Sequence, residues 1–150
     1  MAQALIQETD FQKARNRIRE AKKQQPGKEI IFASSDDELN RKILEKEKID
    51  VLLLQLAGRK DKQKQRDSGF NHVMAKAAKK SGVSIGININ ELLNSKGKEK
   101  ADILARIRQN IILCSKNKLK MSFLPKLKDK YDLKALGLVL GMPTWMTKEL

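Results

Sequence analysis

The segment DVLLLQ at residues 50–55 decides the fold class of this sequence. Its central residues, Val51–Leu54, are all apolar and lack the polar alternation of a strand with one face in water. Such a run is typical of a strand that is buried on both faces, as in a parallel sheet. Three more candidate strands occur at residues 29–33 (EIIFA), 83–87 (VSIGI) and 119–124. Because segments with helical spacing separate them, we expect parallel strands joined by right-handed crossovers.

Helix signals fill the intervals between these strands. Thr9 with Gln12 and Ser35 with Glu38 have capping-box spacing and predict two helix starts. Further helices are predicted at about 70–80, 98–117 and 132–140. The first of these is expected to pack Val73, Met74, Ala77 and Ala78 inward and to end at Gly82.

The number of strands limits the architecture. Four strands are visible, and a complete eight-unit barrel usually needs about 200 residues or more, whereas this chain has 150. We therefore expect an α/β fold in the form of a partial or opened TIM-like barrel with parallel strands and outer helices. The prediction is a single domain over 1–150, with an N-terminal basic helix in 1–28 and a barrel-like core over 29–142.

The charge of the chain is strongly positive, with 32 Lys and Arg against 18 Asp and Glu and a formal net charge of +14. Because like charges repel one another in a compact domain, an anionic partner is expected, and nucleic acid is the first candidate. An acidic membrane is less favoured, since the longest apolar run is too short to span a bilayer. With a single cysteine and no basic-then-apolar leader, the sequence predicts a cytoplasmic protein without a membrane partner.

The segment from Arg59 to Arg66 has five basic residues in eight positions and directly follows the 50–55 strand. In parallel α/β folds the loops at the carboxyl ends of strands carry the functional sites. The alternative interpretation is a solvated loop whose lysines serve solubility. The predicted RNA-binding residues are the charged residues of this loop and of the helix after it: Arg59, Lys60, Lys62, Lys64, Arg66, His72, Lys76, Lys79 and Lys80.

No catalytic residues and no metal ligands are predicted. His72 is the single histidine, and both an RNA contact and a structural hydrogen bond are open to it. Asp36 and Asp37 are adjacent, but they fall in a predicted first turn, where carboxylates favourably meet the helix dipole. Cys114 lies on the apolar stripe of the long helix and is interpreted as core packing.

Three ordered motifs resemble the ribonuclease P protein component 3 family. They are GRKD with SGFNHVMAKAAKK (58–61 and 68–80), VSIGININELLNS (83–95) and YDLKALGLVLGM (131–142). Family members usually have strands before the region matching residue 29 and a helix after that matching residue 145, and we expect this chain to lack both. Extra residues follow RKD, so Arg66-Asp67 competes with Lys60-Asp61 for the family's basic–acidic position.

The resemblance implies a barrel related to the PHP phosphoesterases but without their metal-binding histidines. It further implies a ribonuclease P subunit that does not cleave by itself, with ribonuclease P RNA, ribonuclease P protein component 2 and, through the holoenzyme, precursor tRNA as partners. No cofactor is expected on this chain, because magnesium acts with the RNA subunit. The alternatives are a generic structured-RNA or ribosome-associated protein and, less favoured, a metal-dependent phosphoesterase.

Overall fold

The sheet of this protein has five parallel strands, whose neighbours follow the order of the chain. The computed structural model describes residues 2–126, 129–148 and 150. The strands are β1 (Gln3–Gln7), β2 (Glu29–Ala33), β3 (Val51–Leu54), β4 (Ser84–Asn88) and β5 (Met121–Leu124). The helices are α1 (Phe11–Gln24), α2 (Asp37–Lys46), α3 (His72–Ser81), α4 (Ile89–Asn94), α5 (Gly97–Lys116), α6 (Lys130–Leu140) and α7 (Thr144–Thr147).

The two faces of the sheet carry cores of different size. Phe32, Leu52 and Ile85 belong to the large core, which the sheet forms with the helices. The opposite face holds a small cluster of Ile31, Val51 and Leu124. Val51 and Leu124 close over Gly86, where a Cβ would lie 3.0 Å from Val51 Cγ1 and 3.1 Å from Leu124 Cδ1. Strands in sequential order with outer helices and an apolar inner face define a partial TIM-like barrel, so the predicted fold class is confirmed.

The prediction of four strands was wrong, because the N-terminal segment QALIQ forms β1. This strand pairs in parallel with β2, with Leu5 opposite Ile31 and Ile6 opposite Phe32. Ile6 is buried, whereas Leu5 is 49% exposed on the inner face at the edge of the sheet. With only one buried side chain, β1 has little hydrophobic signal of its own, and pairing with β2 makes it a strand.

Both predicted capping boxes were displaced by one residue. Asp10 caps α1 by accepting the backbone N–H of Lys13, and Asp36 caps α2 by accepting those of Glu38 and Leu39. A carboxylate is the stronger partner for a helix N-terminus, since it also meets the positive end of the dipole.

The inward face of α3 also differs from the prediction in part. Met74 and Ala78 are buried as expected, but Val73 is 51% exposed. Gly82 ends the helix in the left-handed conformation, as predicted. None of the helices in the described part of the chain is long and apolar enough to cross a membrane.

Candidate nucleic-acid interface

The segment that links β3 to α3, residues 55–71, leaves the sheet at its carboxyl edge and is called the basic loop below. Its tip is a tight hairpin in which the N–H of Lys62 donates to Gln65 O at 2.9 Å and the N–H of Gln65 donates to Lys62 O at 3.0 Å. Lys64 lies in this turn with a φ of 66°, a left-handed conformation that favours glycine. A lysine therefore occupies a turn position at which glycine, which has no side chain, would be less strained.

Arg59 holds the start of the basic loop. Its guanidinium donates two hydrogen bonds to the carboxylate of Asp37, at 2.9 and 3.0 Å, and one to Asp67 at 3.2 Å. Its Nε donates to the carbonyl of Gln55 at 2.5 Å. Burial alone would lower the pKa of Arg59, but the hydrogen bonds and charges of Asp37 and Asp67 raise it above its ordinary value. With its side chain only 10% exposed, Arg59 crosslinks α2 to both ends of the loop.

Arg106 of α5 also fixes the basic loop. Its guanidinium is buried and donates to the carbonyls of Leu56 and Arg59, each at 2.9 Å, and to the carboxylate of Asp61 at 3.2 Å. The Nε of Arg106 is buried without a hydrogen-bond partner within the described residues. A buried guanidinium is stabilised when several acceptors surround it. Arg106 thus fixes the irregular backbone after β3.

Two amides on the next turn of α5 hold the far end of the loop. Gln109 donates to the carbonyl of Arg66 and to the hydroxyl of Ser68, both at 3.2 Å. Asn110 donates to the carbonyl of Ser68 at 3.2 Å. Arg106, Gln109 and Asn110 lie three and four residues apart, so they share one face of the helix. One face of α5 therefore contacts both ends of the basic loop.

Asp61 and Asp67 are the two candidates for the family's basic–acidic position, and both help to fix the basic loop. Asp61 accepts the N–H of Asp67 at 2.9 Å, and Asp67 accepts the N–H of Gly69 at 3.0 Å. The backbone hydrogen bond from Asp67, together with Arg106, lowers the pKa of Asp61. Asp61 therefore belongs to the Arg106 contact, and Asp67 to the Arg59 contact.

The structure divides the predicted RNA-binding residues into groups. Four basic residues of the loop are exposed: Lys60, Lys62, Lys64 and Arg66. His72, the first residue of α3, is exposed near the end of the loop, and Lys76 is exposed on the middle of α3. Lys79 and Lys80 are exposed on the last turn of α3, at the opposite, amino edge of the sheet. Arg59 is bound in the ion pairs described above.

A cleft of about 480 Å³ opens at the same carboxyl edge. Its lining includes the polar residues Gln7, Ser34, Gln55, Asn88 and Glu91. Glu91 accepts the N–H of Leu56 at 2.9 Å, and burial raises its pKa. The cleft therefore adjoins the basic loop through the first residues after β3.

The side chains considered above as possible nucleophiles or metal ligands have structural roles. Burial raises the pKa of the Cys114 thiol to about 12, so this group packs as an apolar side chain. Asp36 is a helix cap, and Asp37 is the partner of Arg59. Within the part of the chain that the structure describes, no three His, Cys, Asp or Glu side chains are grouped to hold a metal ion.

Sequence reasoning missed the residues of α5 that support the loop. Arg106 and Asn110 are buried on the same helix face as the buried Ile103 and Ile107. Polar residues that interrupt an apolar stripe mark buried hydrogen-bonding groups, and this signal was present in the sequence. It could not identify the loop as the partner.

An open, parallel α/β barrel with a framed basic loop at its carboxyl edge defines the class of this protein. No protein-family model matches the sequence. Ribonuclease P protein component 3 of Methanocaldococcus jannaschii is 33% identical over 105 residues, which cover 70% of this chain and 43% of that protein. Component 3 of Methanosarcina mazei is 29% identical over 106 residues, which cover 71% of this chain and 41% of that protein.

The structural comparison agrees with the sequence comparison. A chain in the cryo-EM structure of archaeal Ribonuclease P with mature tRNA matches with a TM-score of 0.79 and 26% identity, over 96% of this chain and 62% of that chain. The protein is thus a relative of ribonuclease P protein component 3, and the resemblance predicted from the motifs is confirmed. It spans less than half the length of the two relatives named above.

Proposed function

We propose that this protein is a non-catalytic subunit of ribonuclease P, which binds the RNA subunit and supports removal of the 5′ leader from precursor tRNA. The observation that carries the proposal is the basic loop, whose backbone is fixed by Arg59 and Arg106. Its exposed cations are Lys60, Lys62, Lys64 and Arg66. Because their backbone is held by buried guanidinium groups, these charges are oriented before RNA arrives, which lowers the entropy lost on binding.

The proposed mode of binding is contact with backbone phosphates. Phe70 is the aromatic residue of the basic loop, and it is buried, so it offers no platform for base stacking. Lysine and arginine side chains that neutralise phosphates release counterions, which favours binding in a salt-dependent manner. Arg59 then acts by shaping the loop, and the exposed lysines contact RNA.

The proposed partners are ribonuclease P RNA, ribonuclease P protein component 2 and, through the holoenzyme, precursor tRNA. The chain itself is proposed to bind no cofactor, with magnesium acting on the RNA subunit. The test measures precursor-tRNA cleavage by an archaeal ribonuclease P RNA with and without this chain and component 2. We expect faster 5′ cleavage with both proteins and none with the proteins alone. Cleavage without RNA would contradict the proposal, and equal affinity for an unrelated folded RNA would favour a generic RNA-binding protein.

The contribution of the basic loop is tested by replacing Lys60, Lys62 and Lys64 with Ala. The slope of log affinity against log salt should become shallower by about one unit per lost phosphate contact. The matched control replaces three exposed lysines of α1: Lys13, Lys22 and Lys23. Both variants lose three charges, so an equal loss of affinity would show that only net charge matters.

His72 provides a test that is independent of lysine charge. Its side chain is exposed and makes no hydrogen bond within the described residues. His72→Ala should therefore leave the free energy of unfolding within about 0.5 kcal/mol of the parent while lowering the activity of the reconstituted particle. The adjacent control is Asn71→Ala, which removes the cap of α3 and should cost about 1 kcal/mol. A large loss of stability in His72→Ala would point to a structural role instead.

A further inference from the structure

Lysines also gather at the amino edge of the sheet, where α3 and α5 end and β4 and β5 begin. Three of them, Lys79, Lys118 and Lys120, line a hollow of about 270 Å³. The other lining residues are Gly82, Val83, Ser84 and Leu119. No carboxylate is among the described residues that line the hollow.

At the end of α5, a lysine adopts a left-handed backbone conformation that favours glycine. Helices α3, α5 and α6 all end with an N–H that donates five residues back, from Val83 to Ala78, from Leu119 to Cys114 and from Met142 to Gly137. This closure places one residue in the left-handed conformation, which strains any residue with a Cβ. That residue is Gly82 in α3 and Gly141 in α6, but it is Lys118 in α5.

The dipoles of the helices explain part of this pattern. Lys79 and Lys116 lie in last turns, where the negative end of a helix attracts cations. That attraction does not require a lysine in the strained position 118. The ammonium of Lys118 lies 5.9 Å from the ring centroid of Trp145, and Lys79 Nζ donates to the carbonyl of Lys118 at 3.3 Å. These contacts hold both side chains beside the hollow.

We infer that the amino edge is a second RNA-binding surface, which takes backbone phosphates of a different RNA segment from the one at the basic loop. This amino-edge surface consists of Lys79, Lys116 and Lys118. The inference rests on the proposed function, because the phosphates are assigned to the same RNA. Helix α3 has ten residues and runs from one edge to the other, which separates the two surfaces by about 15 Å.

The first test compares three triple variants in binding to an archaeal ribonuclease P RNA. Lys79, Lys116 and Lys118 are replaced with Gln in the first, and Lys60, Lys62 and Lys64 in the second. The control replaces Lys13, Lys22 and Lys23 of α1 with Gln. We expect the first two variants to flatten the salt dependence by about one unit per lost contact, additively when combined because the surfaces are separate.

The outcomes of this comparison are distinct. An amino-edge variant that binds like the α1 control would overturn the inference and leave the proposed function intact. A basic-loop variant that binds like that control would instead count against the proposed function. If the amino-edge variant lost binding to phosphatidylserine vesicles but kept RNA binding, the surface would serve a membrane and the inference would be wrong.

Lys118→Gly separates binding from folding. Glycine relieves the strain of the left-handed backbone, so the melting temperature should rise. The variant should nevertheless bind the RNA more weakly, because one phosphate contact is lost. A variant that is more stable and binds RNA with unchanged affinity would show that Lys118 only caps the helix.

Directed cleavage of the RNA locates the two surfaces. The single cysteine, Cys114, is buried, so a cysteine introduced on the surface can carry an iron–EDTA probe selectively. Probes in Lys62→Cys and Lys118→Cys should cut the RNA at two separate sets of nucleotides. Coincident sets, or no cutting from position 118, would contradict a second RNA segment at the amino edge.

Discussion

The basic loop and the amino-edge surface present similar charge by different means. The loop has little regular structure, and the side chains of Arg59 and Arg106 connect its carbonyls and carboxylates to α2 and α5. The amino-edge lysines lie at the ends of α3 and α5, whose backbone hydrogen bonds already fix their positions. The irregular loop depends on side-chain hydrogen bonds to satisfy and hold its backbone, whereas the helix ends are held by backbone hydrogen bonds. Substitutions of Arg59 or Arg106 should therefore affect the basic loop and leave the amino-edge surface unchanged.

The largest effect is expected for Arg106→Met, which keeps the aliphatic volume but removes the guanidinium. The carbonyls of Leu56 and Arg59 would lose their buried donor. We expect the free energy of unfolding to fall by about 3 kcal/mol, since each stranded buried acceptor costs about 1–3 kcal/mol. Denaturant unfolding measures this change.

The matched control for this prediction is Arg108→Met, an exposed arginine two residues along α5. Its effect should stay within about 0.5 kcal/mol. If the two variants lost equal stability, Arg106 would not be a special support of the loop. At a temperature where Arg106→Met is folded, RNA contacts from the loop should weaken while those from the amino edge persist.

A smaller effect is expected for Gly69→Ala, which tests the Arg59 contact without removing a charge. Gly69 has a φ of 70°, and a Cβ there would lie 2.6 Å from the Cζ of Arg59. Gly58 has a φ of 72° but open space around its Cβ position, so it supplies the control. Thermal unfolding should show a loss of about 1 kcal/mol for Gly58→Ala, from backbone strain alone, and about 2 kcal/mol for Gly69→Ala, because Arg59 must also move. Equal losses would mean that the position of Arg59 does not stabilise the loop.

The smallest effect concerns pH. The hydrogen bond from Asp67 N–H lowers the pKa of Asp61 from its ordinary value of 3.8. The stabilising contribution of the charged carboxylate is therefore complete above that value and is lost as the pH falls through the lower pKa of the folded state. In an acid titration followed by NMR, the Asp67 amide should shift as this bond is lost, and Asp61→Asn should abolish the shift. Asp132→Asn on α6 is the control, and a titration that survives in Asp61→Asn would assign the effect to another group.

Much of the fold could be predicted from local patterns. The strands near Phe32, Leu52 and Ile85 were found because their apolar runs are bounded by helical segments. The caps were displaced by one residue, because Asp10 and Asp36 stand next to the residues that fit the capping box. The sequence placed the basic loop after β3 but did not reveal its supports Arg106 and Asn110, and the RNA-binding role of the loop stays a prediction.

The sequence by itself determined the four strands from β2 to β5, the main helices between them, the position of the basic loop at the carboxyl edge and the relationship to component 3. Apolar spacing, charge density and motifs are local properties, and they can be read without a partner. Only the tertiary structure decided which cations are exposed and which are bound. Arg59 and Lys60 are adjacent in sequence, yet Arg59 pairs with Asp37, 22 residues away, while Lys60 is exposed. The burial of a guanidinium depends on acceptors that the fold brings together from distant segments. These contacts fix the backbone of the loop and leave its remaining cations exposed.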